Sequence, residues 1–414
     1  MKAEKCRGFK DLTPDDMRAF RLVEDTFRDC CIGWGYDEIR TPTIEYLYLF
    51  TSAGTLTPNM LGKVYSFLDW DGWSGERVVL KPDGTIPTAR YYIDNSKSGL
   101  ARLFYVTNLF MFEETGKKSR EKWQCGAELI GVNSALSDIE LVSLSLDVLR
   151  QLGLSDIKIK LSHAGLIKAL LDSLELSSDE KNSIFSRILE GDSAALDIVK
   201  MDKPETVEAL NLLVGLKGKT SGFLKNIKAL SGKKLDSISQ PLDNFIDIVE
   251  KLETLGIDYR IDIASGKGFE YYTGLIFHLL IGENVIGGGG RYDALIPQMG
   301  GQSTPAAGFA LYMDEVIKLF EPEALAELDV NKILVRIEAD AMEEGFDLAE
   351  ILRDFGYIVV ISLDDKPGTG YGWELEVSSK TPKFVLTDIT SKETTKTDDA
   401  CDILKLLGCT EDVS

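Results

Sequence analysis

Two β-rich runs joined by a short polar loop place the strongest limit on what this chain can fold into. The runs are "RLFYVTNLFMFEE" (102–114) and "WQCGAELIGV" (123–132), and the loop between them, "TGKKSREK", is basic. Strands this close in sequence pair as an antiparallel hairpin, since a parallel pair needs a longer crossover. The chain is therefore expected to contain an antiparallel sheet in which this hairpin has a basic tip.

Helix and strand signals surround that hairpin. Residues 14–33 predict an amphipathic helix, and 35–46, "GYDEIRTPTIEY", predict an extended segment. Residues 63–85 alternate strand and turn signals, which predicts a second hairpin closed near "DGWSGE". The periodic stretch 137–153 predicts a helix with Ser137 as its N-cap and Gly153 as its stop.

The rest of the chain falls into three parts. From about 160 to 240 the pattern is almost wholly helical, ending with "PETVEALNLLVGL" (204–216). Strands return at "YRIDIASG", "YYTGLIFHLLI" and "VIGGGGRYDAL", and a helix is expected from about 307 to 320. After Ala324 strands alternate with helices, as in a small α/β domain.

Seven segments within residues 8–311 carry a resemblance to a known family. In chain order they are "GFKDLTPDD", "GYDEIRTPTIEY", "LKPDGTIPTAR", "RLFYVTNLFMFEE", "WQCGAELIG", "GFEYYTGLIFH" and "GGGGRYDALIPQMGG…PAAGFAL". Together they resemble the class II histidyl-tRNA synthetase family, including its regulatory paralogue in histidine biosynthesis. Any one of them alone is a weak signal, because a lone "GGGG" is usually only a turn or hairpin.

The resemblance implies an α+β fold, with a class II synthetase-like core of antiparallel strands flanked by helices. It assigns 1–158 and 246–324 to that core, 159–245 to a helical insertion, and 325–414 to a small α/β domain like an anticodon-binding domain. A homodimer formed through the first motif, around "GYDEIRTP", is also implied. Since fold alone does not settle function, the site has to be read residue by residue.

The family's histidine pocket maps onto residues of this chain. Asp83 and Thr85 of "KPDGT" match positions that bind the ammonium group, where Asp83 is one methylene shorter than the usual glutamate. A plain turn is the alternative for that segment. The remaining matches are Gln124, Glu128, Lys267, Tyr271, Tyr272 and Tyr292. Glu128 and Tyr272 would bond the two imidazole nitrogens. For the tyrosines, core packing is the alternative.

The nucleotide side departs from the synthetase pattern. The resemblance places an arginine for the α-phosphate at Met111 and an arginine for the γ-phosphate at Glu315, while Tyr312 replaces a small residue. Each lost arginine removes a phosphate contact worth ~1.5–3 kcal/mol. A carboxylate near a phosphate adds repulsion. Lys267 keeps the charge of a third arginine without its fork geometry, and Arg120 can compensate only in part. ATP is therefore not expected to bind.

Charge argues against a nucleic-acid partner. The chain carries a net charge of −21, and residues 331–414 hold 9 Lys+Arg against 18 Asp+Glu, a net −9. Affinity for nucleic acid rests largely on cations that neutralise phosphates, so tRNA is an unexpected partner. The alternative is a local basic patch formed by Lys380, Lys383, Lys392 and Lys396.

Metal, cofactor and membrane signals are absent from the sequence. The six cysteines form no C-x-x-C pair, and only two histidines, His163 and His278, are present. We expect buried, reduced thiols, no metal site and no cofactor. No run approaches the ~18–20 apolar residues of a membrane span, and the N-terminus lacks an apolar signal-peptide core. A cytoplasmic location is expected.

The leading expectation is a non-catalytic, histidine-binding regulatory subunit of ATP phosphoribosyltransferase. The resemblance implies that such subunits form a hetero-oligomer with a short-form catalytic subunit and transmit feedback by histidine. One alternative is a divergent histidyl-tRNA synthetase, which the near-complete domain set favours. Another is a histidine-sensing or RNA-related module with a different partner. Histidine-dependent ATP–pyrophosphate exchange separates the synthetase from the regulatory subunit.

Overall fold

The computed structural model describes most of the chain. The described residues are 3–53, 61–70, 75–95, 99–112, 119–189, 192, 195, 208, 210, 215, 217–231, 238–264, 271–320, 331–363 and 370–409. They fall into two compact units, Met1–Leu319 and Phe320–Ser414. The division of the chain into 1–158, 159–245, 246–324 and 325–414 has more parts than these two units and stays a prediction.

The first helix shows how local sequence sets the element boundaries. Helix α1 (Pro14–Gly33) begins after Thr13, whose side chain accepts a hydrogen bond from the backbone N–H of Asp16. The Asp16 carboxylate in turn accepts a hydrogen bond from the backbone N–H of Thr13, which completes a capping box. One face, including Val23 and Phe27, is buried as the apolar period predicts.

Twelve described strands belong to the first unit. They are β1 (Asp37–Glu38), β2 (Ile44–Tyr46), β3 (Ser66–Trp70), β4 (Gly75–Leu80), β5 (Ala101–Phe110), β6 (Glu121–Ile130), β7 (Ile157–His163), β8 (Lys217–Gly218), β9 (Tyr259–Asp262), β10 (Leu275–Ile281), β11 (Asn284–Arg291) and β12 (Ala306–Tyr312). A nine-stranded sheet has the order β1-β5-β6-β12-β11-β10-β7-β9-β8, and a small sheet has the order β2-β4-β3. The central strands, from β5 to β7, are antiparallel, which confirms the expected fold class.

Both hairpins read from the sequence are present. Strands β5 and β6 pair antiparallel over their full length, from Ala101↔Ile130 to Phe110↔Glu121. Strands β3 and β4 pair up to Trp70↔Gly75, at the site of the expected "DGWSGE" turn. The tip of the first hairpin, 113–118, lies outside the described residues.

Nine further helices in the described part of the first unit flank these sheets. They are α2 (Leu47–Ser52), α3 (Thr85–Asn95), α4 (Ala135–Gln151), α5 (Ala164–Asp172), α6 (Ser178–Leu189), α7 (Ser221–Ser231), α8 (Ser239–Thr254), α9 (Leu295–Gln298) and α10 (Met313–Val316). The N-cap assigned to Ser137 is wrong: α4 begins two residues earlier, after Ser134, whose side chain accepts from the Ser137 backbone N–H. The stop is confirmed, since Gly153 has the positive φ of a C-terminal glycine.

The helix expected from about 307 to 320 is wrong. Residues 306–312 form strand β12, which pairs with β6 on one side and β11 on the other. Only Met313–Val316 is α-helical, followed by a 3-10 turn at Ile317–Leu319. Pairing on both edges overrides the helix propensity of the alanines and leucine in this segment.

The helical part of the chain is also interrupted. Residues 157–163 form β7, a strand of the large sheet that the sequence reading missed. Helices α5 and α6 lie where the apolar period placed them. Most of "PETVEALNLLVGL" lies outside the described residues, and Glu208 and Leu210, which are described, are helical.

The second unit is a five-stranded sheet with two α-helices in its described part. Its strands are β13 (Lys332–Ile337), β14 (Ile358–Ile361), β15 (Trp373–Val377), β16 (Phe384–Asp388) and β17 (Thr394–Thr397), in the order β14-β13-β15-β16-β17. Helices α11 (Met342–Asp354) and α12 (Ala400–Leu406) contribute Leu348, Leu352 and Ile403 to its buried core. The α/β pattern is as expected, but β15 and β17 were not foreseen.

Three expectations from composition can be compared with the described residues. All six cysteines are unpaired, but Cys6 and Cys401 are exposed, so the expectation that every thiol is buried is wrong for these two. No group of side chains suited to a metal ion occurs in the described part of the chain. None of the helices described is both long enough and apolar enough to span a membrane.

Candidate functional site

The carboxyl group of Glu128 is the centre of a buried polar cluster in the first unit. Glu128 lies on β6 and is only 1% exposed. Its Oε1 accepts hydrogen bonds from the hydroxyls of Thr85, at 2.7 Å, and Tyr105, at 3.2 Å. Its Oε2 accepts from the hydroxyl of Tyr292. A buried carboxyl requires such partners, and three converging hydroxyls supply them.

The loop before α3 delivers the second carboxyl group of the site. Asp83 Oδ1 accepts from the backbone N–H of Ile86 at 2.8 Å, which caps the start of α3. Both Asp83 and Thr85, the first residue of α3, are buried. The two interpretations of "KPDGT", a turn and a part of the pocket, are therefore compatible. The segment forms the turn that leads into α3, and the side chains of Asp83 and Thr85 in it are buried.

Tyr105 is a site residue that the sequence reading missed. It lies on β5 opposite Gly126, and besides donating to Glu128 it accepts from Gln124 Nε2 at 3.1 Å. A Cβ atom at Gly84 or Gly126 would lie 2.4 or 2.3 Å from its ring, so both glycines leave room for it. Gly84 and Gly126 are each 21 residues from Tyr105 in the chain, so no local sequence signal identifies this residue.

Four tyrosines complete the walls of a small cavity. Tyr271, Tyr272 and Tyr292 are buried, and Tyr312 is half-buried. Tyr312 lies on β12, where it is the register partner of Gln124 on β6. The cavity has a volume of about 20 Å³, which is room for about one water molecule. Its other lining residues are Asp83, Thr85, Gln124, Gly288, Gly308, Phe309 and Ala310.

The two carboxyl groups differ in acidity. Burial raises the pKa of Glu128 to about 8, although hydrogen bonds from the surrounding hydroxyls oppose the shift. Burial raises the pKa of Asp83 to about 6, opposed by the backbone N–H groups of Ile86 and Thr85. Of the two carboxyl groups, Asp83 is therefore the first to ionise as the pH rises, and Glu128 keeps its proton to the higher pH. A carboxylate beside a neutral acid suits a ligand with one cationic group and one neutral polar group.

A buried ion pair fixes the end of β11, directly before Tyr292. The guanidinium of Arg291, at the end of β11, lies 2.9 Å from Asp138 of α4. It also donates to the hydroxyl of Ser137 at 2.7 Å and to the carbonyl of Val132 at 3.1 Å. The sequence reading quoted "GGGGRYD" without giving Arg291 a role. The N–H donors of the Arg291 guanidinium therefore join the start of α4 to the end of β11, next to Tyr292.

The residues on the nucleotide side are engaged in internal contacts. Asp314 Oδ2 accepts from the backbone N–H of Trp123 at 2.8 Å, which holds α10 against β6. Glu315 pairs with Lys318 at 2.9 Å. Arg120 donates to the carbonyl of Arg7 at 3.2 Å, and its guanidinium lies 4.2 Å from the centre of the Phe112 ring. The segment that supplies phosphate clamps in a synthetase carries two acids here.

The structure brings most of the proposed site residues together. Seven of the eight histidine-site residues named from the sequence belong to the Glu128 cluster or line its cavity. The eighth, Lys267, lies outside the described residues. Of the four nucleotide-side residues, Tyr312 lines the same cavity. Met111 donates its backbone N–H to the carbonyl of Arg120, and its side chain is half-buried.

Comparison with known proteins gives the context for this geometry. A family model described as histidyl-tRNA synthetase matches residues 8–316. The ATP phosphoribosyltransferase regulatory subunit of Dehalococcoides mccartyi (strain 195) is 48% identical over 409 residues, 99% of both chains. The histidine–tRNA ligase of Methanocaldococcus jannaschii is 30% identical, over 87% of this chain and 86% of its own.

Two solved structures share the fold. The first, from Bacillus halodurans, is described as an ATP phosphoribosyltransferase regulatory subunit/histidyl-tRNA synthetase. It has a TM-score of 0.75 at 24% identity and covers 88% of this chain and 94% of its own. The second is histidyl-tRNA synthetase from Nostoc, with a TM-score of 0.78 at 19% identity and 99% coverage of both chains. These likenesses concern the fold alone.

Proposed function

Because the chain belongs to the histidyl-tRNA synthetase family, we propose that it is the non-catalytic, histidine-binding regulatory subunit of ATP phosphoribosyltransferase. One observation carries this proposal. The buried pocket around Glu128 keeps the groups needed for histidine, while the neighbouring segment has Glu315 where a synthetase has a phosphate-clamping arginine. The near-full-length relatives with the regulatory-subunit name support the same function.

Histidine fits the chemistry of the cluster. The carboxylate of Asp83 is the acceptor for the α-ammonium group, together with the hydroxyl of Thr85. Glu128 accepts from one imidazole nitrogen, and the hydroxyl of Tyr272 bonds the other. Gln124, Tyr271 and Tyr292 line the walls. Polar recognition in a dry pocket is selective, since a ligand lacking these groups leaves buried partners unsatisfied.

The nucleotide side explains why catalysis is absent from this proposal. Amino-acid activation depends on positioned cations around the triphosphate of ATP. Met111 and Glu315 supply none, and Arg120 is already stacked on Phe112 and bonded to Arg7. The ring of Tyr312 lies in the cavity wall, where the family motif has a small residue. The protein is therefore proposed to bind histidine without ATP.

Regulation requires that histidine binds one conformation better than another. A cavity of about 20 Å³ is far smaller than the ~300–1,000 Å³ of typical ligand sites, so histidine has to displace the tyrosines. The segment that contains Tyr271 and Tyr272 contacts the proposed helical insertion (159–245), since Lys168 of α5 donates to the carbonyl of Tyr272 at 2.7 Å. The Ala164 N–H donates to the carbonyl of Gly274 at 2.8 Å. A displacement of the tyrosines that opens the pocket is therefore expected to shift α5 through these two hydrogen bonds.

The proposed partner is a short-form catalytic subunit, with this chain as a homodimer within the hetero-oligomer. The test is reconstitution with the catalytic subunit of the same organism. Phosphoribosyl transfer is measured with and without this chain, and with and without histidine. We expect activity to require the chain and to be inhibited by histidine, while the Glu128→Gln variant supports activity and resists inhibition. Activity that is the same with and without this chain contradicts the proposal.

A histidine–tRNA ligase is the second candidate, and the relatives with that name, at 30–32% identity, favour it. Histidine-dependent ATP–pyrophosphate exchange distinguishes the two functions. Robust exchange by the isolated chain removes the regulatory subunit as proposed. Exchange at the background level of the Glu128→Gln variant removes the ligase.

A further inference from the structure

The strand order of the second unit marks a second place for a ligand. Strand β13 is parallel to both of its neighbours, β14 and β15. The chain leaves β13, returns beside it as β14, and then crosses to the other edge of β13 as β15. In open α/β sheets, ligands bind outside the carboxyl ends of the strands at the point where the strand order reverses.

A cavity of about 660 Å³ lies at that point. It is within the ~300–1,000 Å³ typical of small-molecule sites. Its walls come from the ends of the three parallel strands, namely Arg336, Ile337 and Glu338 at the end of β13, Ser362 and Leu363 after β14, and Ser378, Lys380, Thr381 and Pro382 after β15. The described lining is therefore concentrated at the carboxyl ends of these strands.

The floor of the cavity is a row of side chains across four strands. Arg336 pairs with Glu376, Glu376 with Val385, and Val385 with Lys396. Residues paired in this way project from the same face of a sheet. Their neighbours along the strands, such as Val335, Leu375 and Val377, project from the opposite face into the core with α11 and α12.

Positive charge is concentrated in this cavity. In the described part of residues 331–414, three of the eight cations line it (Arg336, Lys380 and Lys396), and two of the 14 acidic residues do (Glu338 and Glu376). The described lining therefore has a balance of +1, whereas the described part of the segment, with its eight cations and 14 acidic residues, has a net charge of −6. The Arg336 guanidinium is held by Glu374, at 2.5 Å, and by the Ser362 hydroxyl, at 3.2 Å. Lys380 and Lys396 carry their charges on flexible four-carbon side chains, whereas the Arg336 guanidinium is held in place.

We propose that this cavity binds a small phosphate ester that also carries hydroxyl groups, such as a sugar phosphate. Lys380 and Lys396 bind the phosphate, since ammonium groups form charge-assisted hydrogen bonds with phosphate oxygens. The carboxylates of Glu376 and Glu338 accept from the hydroxyls, as acidic residues do from ribose in nucleotide-binding sheets. Glu338 is oriented by the Ser378 hydroxyl, which donates to it at 3.0 Å.

The size of the ligand follows from the range of the charges. At physiological ionic strength the charge of a group is screened over about 8 Å, so a small anion inside the cavity is governed by its lining. A long polyanion such as RNA extends over the surrounding acidic surface and is repelled by it. The proposal is independent of the histidine pocket and of the regulatory function, because no residue of the first unit takes part.

The test is isothermal titration of the full chain with ribose 5-phosphate, with inorganic phosphate and ribose as comparison ligands. The variant is Lys380→Gln combined with Lys396→Gln. The matched control is Lys392→Gln combined with Lys405→Gln, which makes the same charge change outside the cavity. We expect the first pair to weaken ribose 5-phosphate binding at least tenfold and the control pair to change it less than twofold.

A third variant, Glu376→Gln, examines the hydroxyl contacts. It should strengthen inorganic phosphate binding, because a nearby negative charge is removed, and reduce the preference for ribose 5-phosphate over phosphate. The absence of heat at millimolar ribose 5-phosphate overturns the proposal, as does binding that survives the Lys380 and Lys396 changes. Tight binding of a short single-stranded RNA that ribose 5-phosphate fails to displace would assign the cavity to nucleic acid and likewise overturns it.

Discussion

The carboxyl group of Glu128 occupies the space that a side chain at Gly308 would need. The two residues are register partners on β6 and β12, and a Cβ atom at position 308 would lie 1.7 Å from Glu128 Oε2. The glycine therefore permits a buried acid at the centre of the pocket. The relationship joins two motifs that are 180 residues apart in the chain.

Replacing Gly308 with alanine should damage both the fold and the pocket. The added methyl forces the Glu128 carboxyl away from its hydroxyl donors, so we expect a loss of about 1–3 kcal/mol in the free energy of unfolding. Histidine binding should weaken with it. Urea denaturation and calorimetry measure the two effects. Gly222→Ala is the control, because its Cβ would meet only Thr220 Oγ1, at 3.7 Å. Equal stability of the two variants contradicts the prediction.

Stability should fall as the pH rises from about 5 to 8. Glu128 ionises near its ordinary pKa of 4.5 when the chain is unfolded, but burial raises its pKa to about 8 in the folded protein. The folded state holds a proton that the unfolded state has released, so raising the pH favours unfolding. In Glu128→Gln the free energy of unfolding should depend less on pH, and its fall between pH 5 and pH 8 should be smaller than that of the wild type by up to about 4 kcal/mol. Urea denaturation at several pH values provides the measurement, and parallel pH profiles for wild type and variant refute it.

The nucleotide side can be tested by restoring its missing cations. Met111→Arg and Glu315→Arg should together improve the affinity for magnesium–ATP, and adding Tyr312→Gly should improve it further. The three positions share one region, so the combined gain should exceed the sum of the single gains. The fold should survive, because the exposed Glu315–Lys318 pair is worth at most about 1 kcal/mol.

Titration calorimetry with magnesium–ATP gives the affinities. Lys318→Gln is the control, since it frees Glu315 without adding a cation. Tight binding of magnesium–ATP by the wild-type protein would show that other cations hold the phosphates, and the ligase would then become the better assignment.

Removing Arg291 should destabilise the protein strongly. Arg291→Ala leaves the carboxyl of Asp138 buried without its partner, which costs about 3–5 kcal/mol. Changing both residues, with Arg291→Met and Asp138→Leu, should recover part of that loss because no lone charge remains. Chemical denaturation of the two variants provides the comparison, and a single variant as stable as wild type would contradict the buried pair's role.

Binding of tRNA should be weak and without selectivity. Residues 331–414 carry a net charge of −9, and only two of the four lysines that were candidates for a basic patch line a common cavity. Lys383 pairs with Glu344 at 3.2 Å, whereas Lys380 and Lys396 line the 660 Å³ cavity. Filter binding at physiological salt is the measurement. Tight capture of histidine tRNA over other tRNAs would refute the prediction.

The sequence by itself determined those features that depend on neighbours in the chain. The strand runs and polar loops at 102–132 and 63–85 were sufficient for two hairpins, because side-chain alternation and turn residues are local. The helix predicted over residues 14–33 is present as Pro14–Gly33, because its apolar period and its capping residues are also local. The resemblance to the histidyl-tRNA synthetase family also indicated the residues of the pocket.

Tertiary structure decided what depends on contacts between distant residues. Residues 306–312 became a strand because β6 and β11 pair with both edges, a fact that local propensity does not contain. Tyr105 gained its place from Gly84 and Gly126, and Asp314 gained its role from the backbone of Trp123, 191 residues away. The sequence indicated Glu315 as the loss of a phosphate-binding arginine. The fold gives its neighbour Asp314 a structural hydrogen bond and leaves Glu315 on the surface beside Lys318, because a carboxylate is stable where the folded chain offers it a donor or water.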